Sequence, residues 1–226
     1  IFFLTVALAV SAIPEGLPVA ITVALSVASS VMSKRNVIVR KLSAIEGLGS
    51  CTFIASDKTG TMTQNSLSVE HFISPDKTYS SSEAVDEHVV LSALLCNEST
   101  HRKEGDEFVF IGDQVDIALA RYALLLDETL FKKYENTKAL ALTPYEPLNK
   151  YSAASYEING KKVDFIKGSP EVILTKSALG KDEKEFVLKQ VDEWAAKGFR
   201  NIALAYRVND GSDIAEDGYI YLGFAA

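Results

Sequence analysis

From Ile1 to Met32 the chain carries one ionisable side chain, Glu15. An apolar run of that length is enough to cross a bilayer, which takes roughly 20 residues. It is too long for a signal peptide, lacks a basic leader, and holds Pro14-Glu15-Gly16-Leu17-Pro18 in its middle. Two prolines and a glycine so close together would break a soluble helix. In a membrane such a break is tolerated where the freed carbonyls line a cavity, and a carboxylate at that depth marks a functional site by default. Glu15 is therefore a candidate cation ligand. Lys34, Arg35, Arg40 and Lys41 follow at once, so the positive-inside rule places the chain after them in the cytoplasm.

The rest is ordinary globular material. With 226 residues, 47% hydrophobic and 23% charged, it has room for one large or two modest domains. A net charge of -7 argues against nucleic acid as a partner, because phosphate binding needs a basic stripe. Cys51 and Cys96 form no CxxC and stand in no Cys/His cluster, so neither a disulfide framework nor a zinc site is expected. The scattered His71, His88 and His101 are assigned surface or capping roles. Gly47-Leu48-Gly49 lacks the third glycine of a dinucleotide fingerprint and precedes a strand-like stretch instead of following one. The chain opens inside an apolar run without Met and stops after a strand-like segment, as expected of a piece of a longer polypeptide.

Cys51-Thr52-Phe53-Ile54-Ala55 has the character of a buried parallel strand and ends in Ser56-Asp57-Lys58-Thr59-Gly60-Thr61-Met62-Thr63. Ligands of open α/β sheets gather beyond the carboxyl ends of such strands. A carboxylate there can attack a phosphoryl group and form an aspartyl-phosphate. Lys58, the threonine hydroxyls and the amides around Gly60 would supply the positive field and donors that phosphoryl transfer requires, with a magnesium ion. An Asx-turn, with Asp57 satisfying local amides, explains the same residues without chemistry.

Beyond Asn65 the pattern changes to alternating strands and helices, which predicts a domain boundary near residue 66. Leu67 to Phe72 alternates as a strand, and Ser74 to Ser82 reads as a polar loop. Ser80 with Glu83 predicts a capping box and a helix to about Asn97 whose core face holds Val85, Val89, Ser92 and Cys96. Asn97-Glu98-Ser99 is spelled as a glycosylation sequon, which a cytoplasmic chain would not use. Phe108–Ile111 is a short strand, Asp113 an N-cap, and Asp116 a first-turn carboxylate. Asn159-Gly160 between alternating stretches predicts a tight hairpin delivering Lys167-Gly168-Ser169-Pro170-Glu171, with Ser169 capping a helix whose first residue is Pro170. Lys167 and Gly168 before a helix N-terminus make an anion site conceivable. A stripe of Val187, Val191 and Trp194 predicts an amphipathic helix ended by Gly198, and Arg200 to Ala205 and Tyr219 to Phe224 read as strands.

Several of these segments resemble one family in unbroken order. Asp57-Lys58-Thr59-Gly60-Thr61-Met62-Thr63 resembles the phosphorylation signature of the P-type cation-transporting ATPases, with Met62 where Leu is more usual. Ala12-Ile13-Pro14-Glu15-Gly16-Leu17-Pro18 resembles the unwound centre of the fourth membrane helix in the calcium and sodium/potassium branch. Gly112-Asp113-Gln114-Val115-Asp116-Ile117-Ala118-Leu119 and Lys167-Gly168-Ser169-Pro170-Glu171 are similar to two elements of the pumps' nucleotide-binding domain, with Ser169 in place of Ala. The resemblance implies phosphorylation of Asp57, with Lys58 beside it and Thr59 helping to hold Mg2+ and phosphate. It implies ATP held by Asp116 at the adenine amino group, Tyr145 in the place of a stacking Phe, Lys150, Lys167, Gly168, and Arg200 at the phosphates. A transported cation would be held by Glu15 and the carbonyls of Val10, Ser11 and Ile13, with calcium favoured over sodium or potassium.

The fold implied is a broken transmembrane helix over 1–33 and an α/β, haloacid-dehalogenase-like phosphorylation-domain portion over 34–65. An α+β nucleotide-binding domain with an antiparallel sheet follows over 66–222, and 223–226 begin the return to the phosphorylation domain. The implied partners are ATP, the cation, the lipid bilayer and the remainder of the same pump chain, with residues 34–226 cytoplasmic. The piece alone would bind ATP without turning it over. The competing reading is a membrane-anchored dehalogenase-like phosphatase with an inserted cap, against which the Pro-Glu-Gly-Leu-Pro span argues, since an anchor needs no buried carboxylate.

Overall fold

The computed structural model describes residues 2–11, 16–58, 60–105, 107–211 and 213–226, with the side chains of residues 8–10 and 107 left aside. They form two compact units, Ile1–Met62 and Thr63–Ala226.

In the first unit the apolar run gives two helices, α1 (Phe2–Ser11) and α2 (Gly16–Ser33). Ile13, Pro14 and Glu15 lie outside the described residues. Among the described residues α2 is the one helix long and apolar enough to cross a membrane, with a mean hydropathy of 1.7 over 18 residues. Two of its hydroxyls turn back onto the helix itself, Thr22 donating to the Pro18 carbonyl and Ser26 to the Thr22 carbonyl, each at 2.8 Å. Hydroxyls satisfied in this way expose no free donor on an apolar surface. A short α3 (Ser43–Gly49) follows.

The strand expected over Cys51–Ala55 is not present: these residues are exposed and without regular structure. A strand persists only where a neighbour takes its N–H and C=O groups, and among the described residues no segment pairs with this one.

The second unit is built on a seven-stranded, wholly antiparallel sheet. Its strands are β1 (His71–Ile73) and β2 (Thr78–Ser80), then, after the pair β3 (Thr100–Glu104) and β4 (Glu107–Ile111), β5 (Ala141–Thr143), β6 (Tyr151–Ile158), β7 (Lys161–Gly168), β8 (Ile202–Val208) and β9 (Ile220–Ala225). The spatial order is β2-β1-β9-β8-β7-β6-β5, with β3 and β4 forming a separate two-stranded ribbon. One face carries α4 (Glu87–Leu95), α5 (Gln114–Leu126) and α6 (Glu128–Tyr134); the other carries α7 (Pro170–Lys176) and α8 (Lys181–Ala196). The strands therefore bury both sides, and successive residues alternate between the layers. In β8, Leu204 packs beneath the first group of helices while Ala203 and Ala205 face α7 and α8. In β7, Val163 and Phe165 face α4, and Ile166 the opposite layer.

The Asn159-Gly160 turn forms as the sequence predicts, with φ of 52° and 75° at its two central residues and Ile158 paired with Lys161. Two positive φ values in succession make the mirror-image turn whose twist matches the flanking strands. Asp113 caps α5 by accepting from the Val115 N–H at 2.9 Å. Gly198, with φ of 91°, ends α8.

Other expectations are corrected. The Glu83 carboxylate does reach back to the Ser80 N–H at 3.2 Å, but Ser80 is the end of β2 and Glu83 is also tied to Lys77. The helix starts later, capped by Asp86, which accepts from the His88 N–H at 2.8 Å. The Glu83 side chain thus ties the end of β2 to Lys77 of the β1–β2 turn and starts no helix. Ser169 occupies the N-cap position of α7, yet its hydroxyl makes no cap bond and is buried without a partner. The strand expected from Leu67 is confined to His71–Ile73, and β2 lies inside the stretch read as a polar loop. Residues 223 to 225, expected to leave for another domain, remain in β9, where Phe224 pairs with Ile73 of β1 and Ala203 of β8.

Candidate functional site

The β7 strand sets up the site. Its stripe of Val163 and Phe165 faces the α4 layer, and the next residue with the same orientation is Lys167. A lysine at a core-facing strand position must find an anion, because an unpaired buried ammonium costs several kcal/mol. It finds Asp116 in the first turn of α5: Lys167 Nζ donates to Asp116 Oδ1, with the side chains only 6% and 9% exposed. The other Asp116 oxygen accepts from the Glu98 N–H at 3.0 Å. Asn97 fixes the same turn by donating to the Asp116 carbonyl at 2.8 Å and to the Ala93 carbonyl of α4 at 3.0 Å.

Around this pair the chain leaves a cavity of about 400 Å³ lined by Glu98, Asp113, Val115, Asp116, Tyr145, Lys167, Gly168, Arg200 and Ile202. Its lining comes from the end of α4, the start of α5, the segment before β6, the end of β7 and the start of β8. Tyr145, 53% exposed, is held by its main chain: its N–H donates to Glu98 Oε1 at 2.7 Å. Gly168 is required for closure, since a Cβ there would stand 2.3 Å from the Lys150 carbonyl oxygen and 2.8 Å from Tyr151 Cα. That contact lets the Ser169 N–H reach the Lys150 carbonyl at 3.0 Å.

Five of the residues singled out in the sequence, Asp116, Tyr145, Lys167, Gly168 and Arg200, thus meet at one cavity. Lys150 does not line it; the residue is exposed, with φ of 58°, and reaches the site through its carbonyl. Asp57 and Lys58 are exposed in the first unit. Thr59 lies outside the described residues, as do Ile13 and Glu15; of the remaining cation candidates, Val10 and Ser11 fall in the last turn of α1.

Sequence reading missed Glu98, weighed only as part of a glycosylation sequon. Its position immediately past a helix end, next to an asparagine, was the available signal, but nothing local reveals that it bridges α5 and the Tyr145 segment.

Cys96 lies behind the pair, its thiol 3.4 Å from the Ser152 carbonyl. Burial pushes the thiol up, an effect that nearby Lys167 only partly offsets. It is a packed hydrogen-bond donor, not a thiolate nucleophile.

A second cavity, of about 240 Å³, lies where residues 66–70 meet 225–226, and Arg200 and Ile202 line it as well. It contains no buried charge among its lining residues. The cavity with the buried cation, the anion and an aromatic face has the chemistry of a ligand site.

The family model for the cytoplasmic domain N of the P-type ATPases matches residues 87–221. The chain is 33% identical over 263 residues to the cation-transporting ATPase pma1 of Synechocystis sp., covering 98% of this chain and 29% of that protein. It is 32% identical over 220 residues to calcium-transporting ATPase 1 of Lactococcus lactis, covering 91% and 25%. With the calcium-transporting ATPase of Bacillus subtilis the identity is 35% over 241 residues, covering 91% and 27%. The chain therefore spans under a third of the length of these curated relatives. With a matching domain N built around that cavity, and relatives that align over nearly all of its length, the chain belongs to the P-type ATPases.

Proposed function

We propose that this chain is part of an ATP-driven cation pump, and that the cavity around Lys167 holds ATP. The observation that carries the reading is the convergence of Asp116, Tyr145, Lys167, Gly168 and Arg200, spread over more than 80 residues of sequence, on one cavity of about 400 Å³. That volume lies in the range of roughly 300–1,000 Å³ expected of small-molecule sites. The exposed Tyr145 ring offers a π face to the adenine. Lys167 supplies positive charge at the inner end, held in place by Asp116, and Arg200 is the cation open to the phosphates.

In this reading residues 34–65 are the first part of a haloacid-dehalogenase-like phosphorylation domain, residues 66–222 and the rest of β9 the nucleotide-binding domain, and 1–33 a broken membrane helix. Asp57 attacks the γ-phosphorus of ATP, its carboxylate oxygen forming the new P–O bond as the bond to the β,γ-bridging oxygen breaks and ADP leaves. Lys58 offsets the charge. Magnesium would be ligated in part by Asp57 and Thr59. Glu15, with the carbonyls of Val10, Ser11 and Ile13, would hold the transported cation, with calcium favoured because the Lactococcus lactis and Bacillus subtilis relatives are named as calcium-transporting. The segment after α2 is cytoplasmic. Ion and nucleotide sites would be coupled through two global states of the complete pump.

The test is calorimetric titration of the 226-residue chain in lipid nanodiscs with ATP, alongside Tyr145→Ala. Binding that weakens about tenfold in the variant, the usual worth of one base on an aromatic ring, is expected. A folded chain that takes up no ATP at roughly 10 mM, where a 1 mM site would be nearly filled, overturns the assignment.

A further inference from the structure

We propose that the second cavity, of about 240 Å³, is a site for a small apolar anion, a single carboxylate on a ring or short chain, and that its occupant competes with ATP for Arg200. Binding in this cavity is independent of the nucleotide reading; the competition rests on it. Every lining residue belongs to the second unit. Leu67, Val69, Leu119, Phe199 and Ala225 make the walls apolar, and Val115, Arg200 and Ile202 are shared with the larger cavity. An apolar cavity of about 150 Å³ holds a benzene ring, so this one has room for a ring and a short side chain.

Charge selects the class of occupant. Among the described residues the lining carries two ionic side chains, Glu70 and Arg200, both exposed. Glu70 Oε1 accepts from the Ser68 hydroxyl at 2.7 Å, and the Glu70 N–H donates to the Ala226 carbonyl at 2.9 Å. The Arg200 guanidinium has no hydrogen bond or ion pair among the described residues. It is the charge with donors to spare, and a carboxylate matches its planar fork with two parallel bonds. A ligand with several charges is the wrong guest, because the apolar walls offer nothing to replace the water it would lose. One carboxylate on Arg200, with carbon against the walls, fits. Because Arg200 lines both cavities, a carboxylate that holds it from one side withdraws it from phosphates on the other. The two ligands share one cation, so each weakens the other by the same factor.

The probe is 3-(4-fluorophenyl)propionate, followed by fluorine NMR with the full chain in nanodiscs and with empty nanodiscs as the blank. It is expected to be held with a dissociation constant of about 1 mM and, at saturation, to weaken ATP about fivefold by calorimetry. Its neutral amide is expected to bind about threefold less tightly, the worth of an exposed ion pair, and to compete less with ATP. Ala118→Leu fills the cavity from α5, and Leu67→Trp fills it from the 66–70 segment, at a position 37% exposed that tolerates a larger side chain if the first variant fails to fold. Neither residue lines the nucleotide cavity, so ATP affinity is expected to hold while the probe is lost. A probe signal equal to that of empty nanodiscs, probe binding retained in the folded variants, or an ATP affinity that the bound probe leaves unchanged overturns the proposal while the nucleotide site stands. A chain that takes up no ATP overturns the nucleotide site, and the competition with it, whether or not the probe is held.

Discussion

Lys167→Met is expected to destabilise the second unit by about 3–5 kcal/mol, the cost of breaking a buried ion pair from one side, and to abolish ATP binding. The side chain is nearly volume-neutral, so packing changes little. What changes is Asp116, whose carboxylate is 9% exposed and would keep only the Glu98 N–H for its negative charge. A buried charge that loses its partner retains its full desolvation cost. The double variant Lys167→Met, Asp116→Leu removes both charges and is expected to recover most of the stability without recovering ATP binding. Urea denaturation followed by circular dichroism separates the terms. A single variant within about 1 kcal/mol of wild type would mean that the pair is solvated in solution and that Lys167 is not held by a buried carboxylate.

Gly223→Ala carries the second large effect, and it acts through the sheet: Gly223 pairs with Leu204 of β8, whose partner on the other side is Lys167. Gly223 has φ of 145°, and a Cβ there would lie 2.3 Å from the Ile73 carbonyl oxygen and 2.8 Å from the Phe72 ring. It pairs with Leu204 where the register of β8 against β9 shifts. Backbone strain and the overlap with main-chain oxygen add, and neither is relieved by a rotamer change, so a cost of about 3 kcal/mol or more is expected. For a unit of this size that lowers the melting temperature by about 10 °C. The loss should appear first in hydrogen exchange of β1 and β9, since β9 is what joins β1 to the centre of the sheet. Unchanged melting with unchanged exchange would show that the bulge at Leu204 and Ala205 is looser than described.

The two substitutions mark what could and could not be read in advance. Asn159-Gly160 was legible because both residues tolerate positive φ at neighbouring positions and the alternation on each side is unambiguous. Asp113 was legible because an N-cap is a contact over two residues. The Ser80–Glu83 pair was misleading because a glutamate reaching back to a main-chain N–H can finish a strand as well as start a helix, and only the pairing of β1 with β2 decides between them. The Cys51–Ala55 segment has the composition of a strand, but a strand is a property of two segments. Ser169 stands where a cap belongs, yet its hydroxyl was left without an acceptor. Glu98 gave almost no signal, since its partners are a helix turn 18 residues away and a backbone amide 47 residues away.

What the amino-acid order determined by itself is local and chemical: one long apolar run interrupted by proline and glutamate, an Asp-Lys-Thr-Gly-Thr string, a type of turn, a cap, a lysine beside a glycine. These depend on side-chain volume, φ preference and hydrogen bonds across a few residues, and such terms are written in neighbouring positions. Tertiary structure decided which charges are buried, and therefore which are paired. Lys167 is a surface lysine by composition. It becomes the centre of a site because β7 alternates Val163, Phe165 and Lys167 toward the helices, and low dielectric there makes an ammonium without Asp116 too costly to keep.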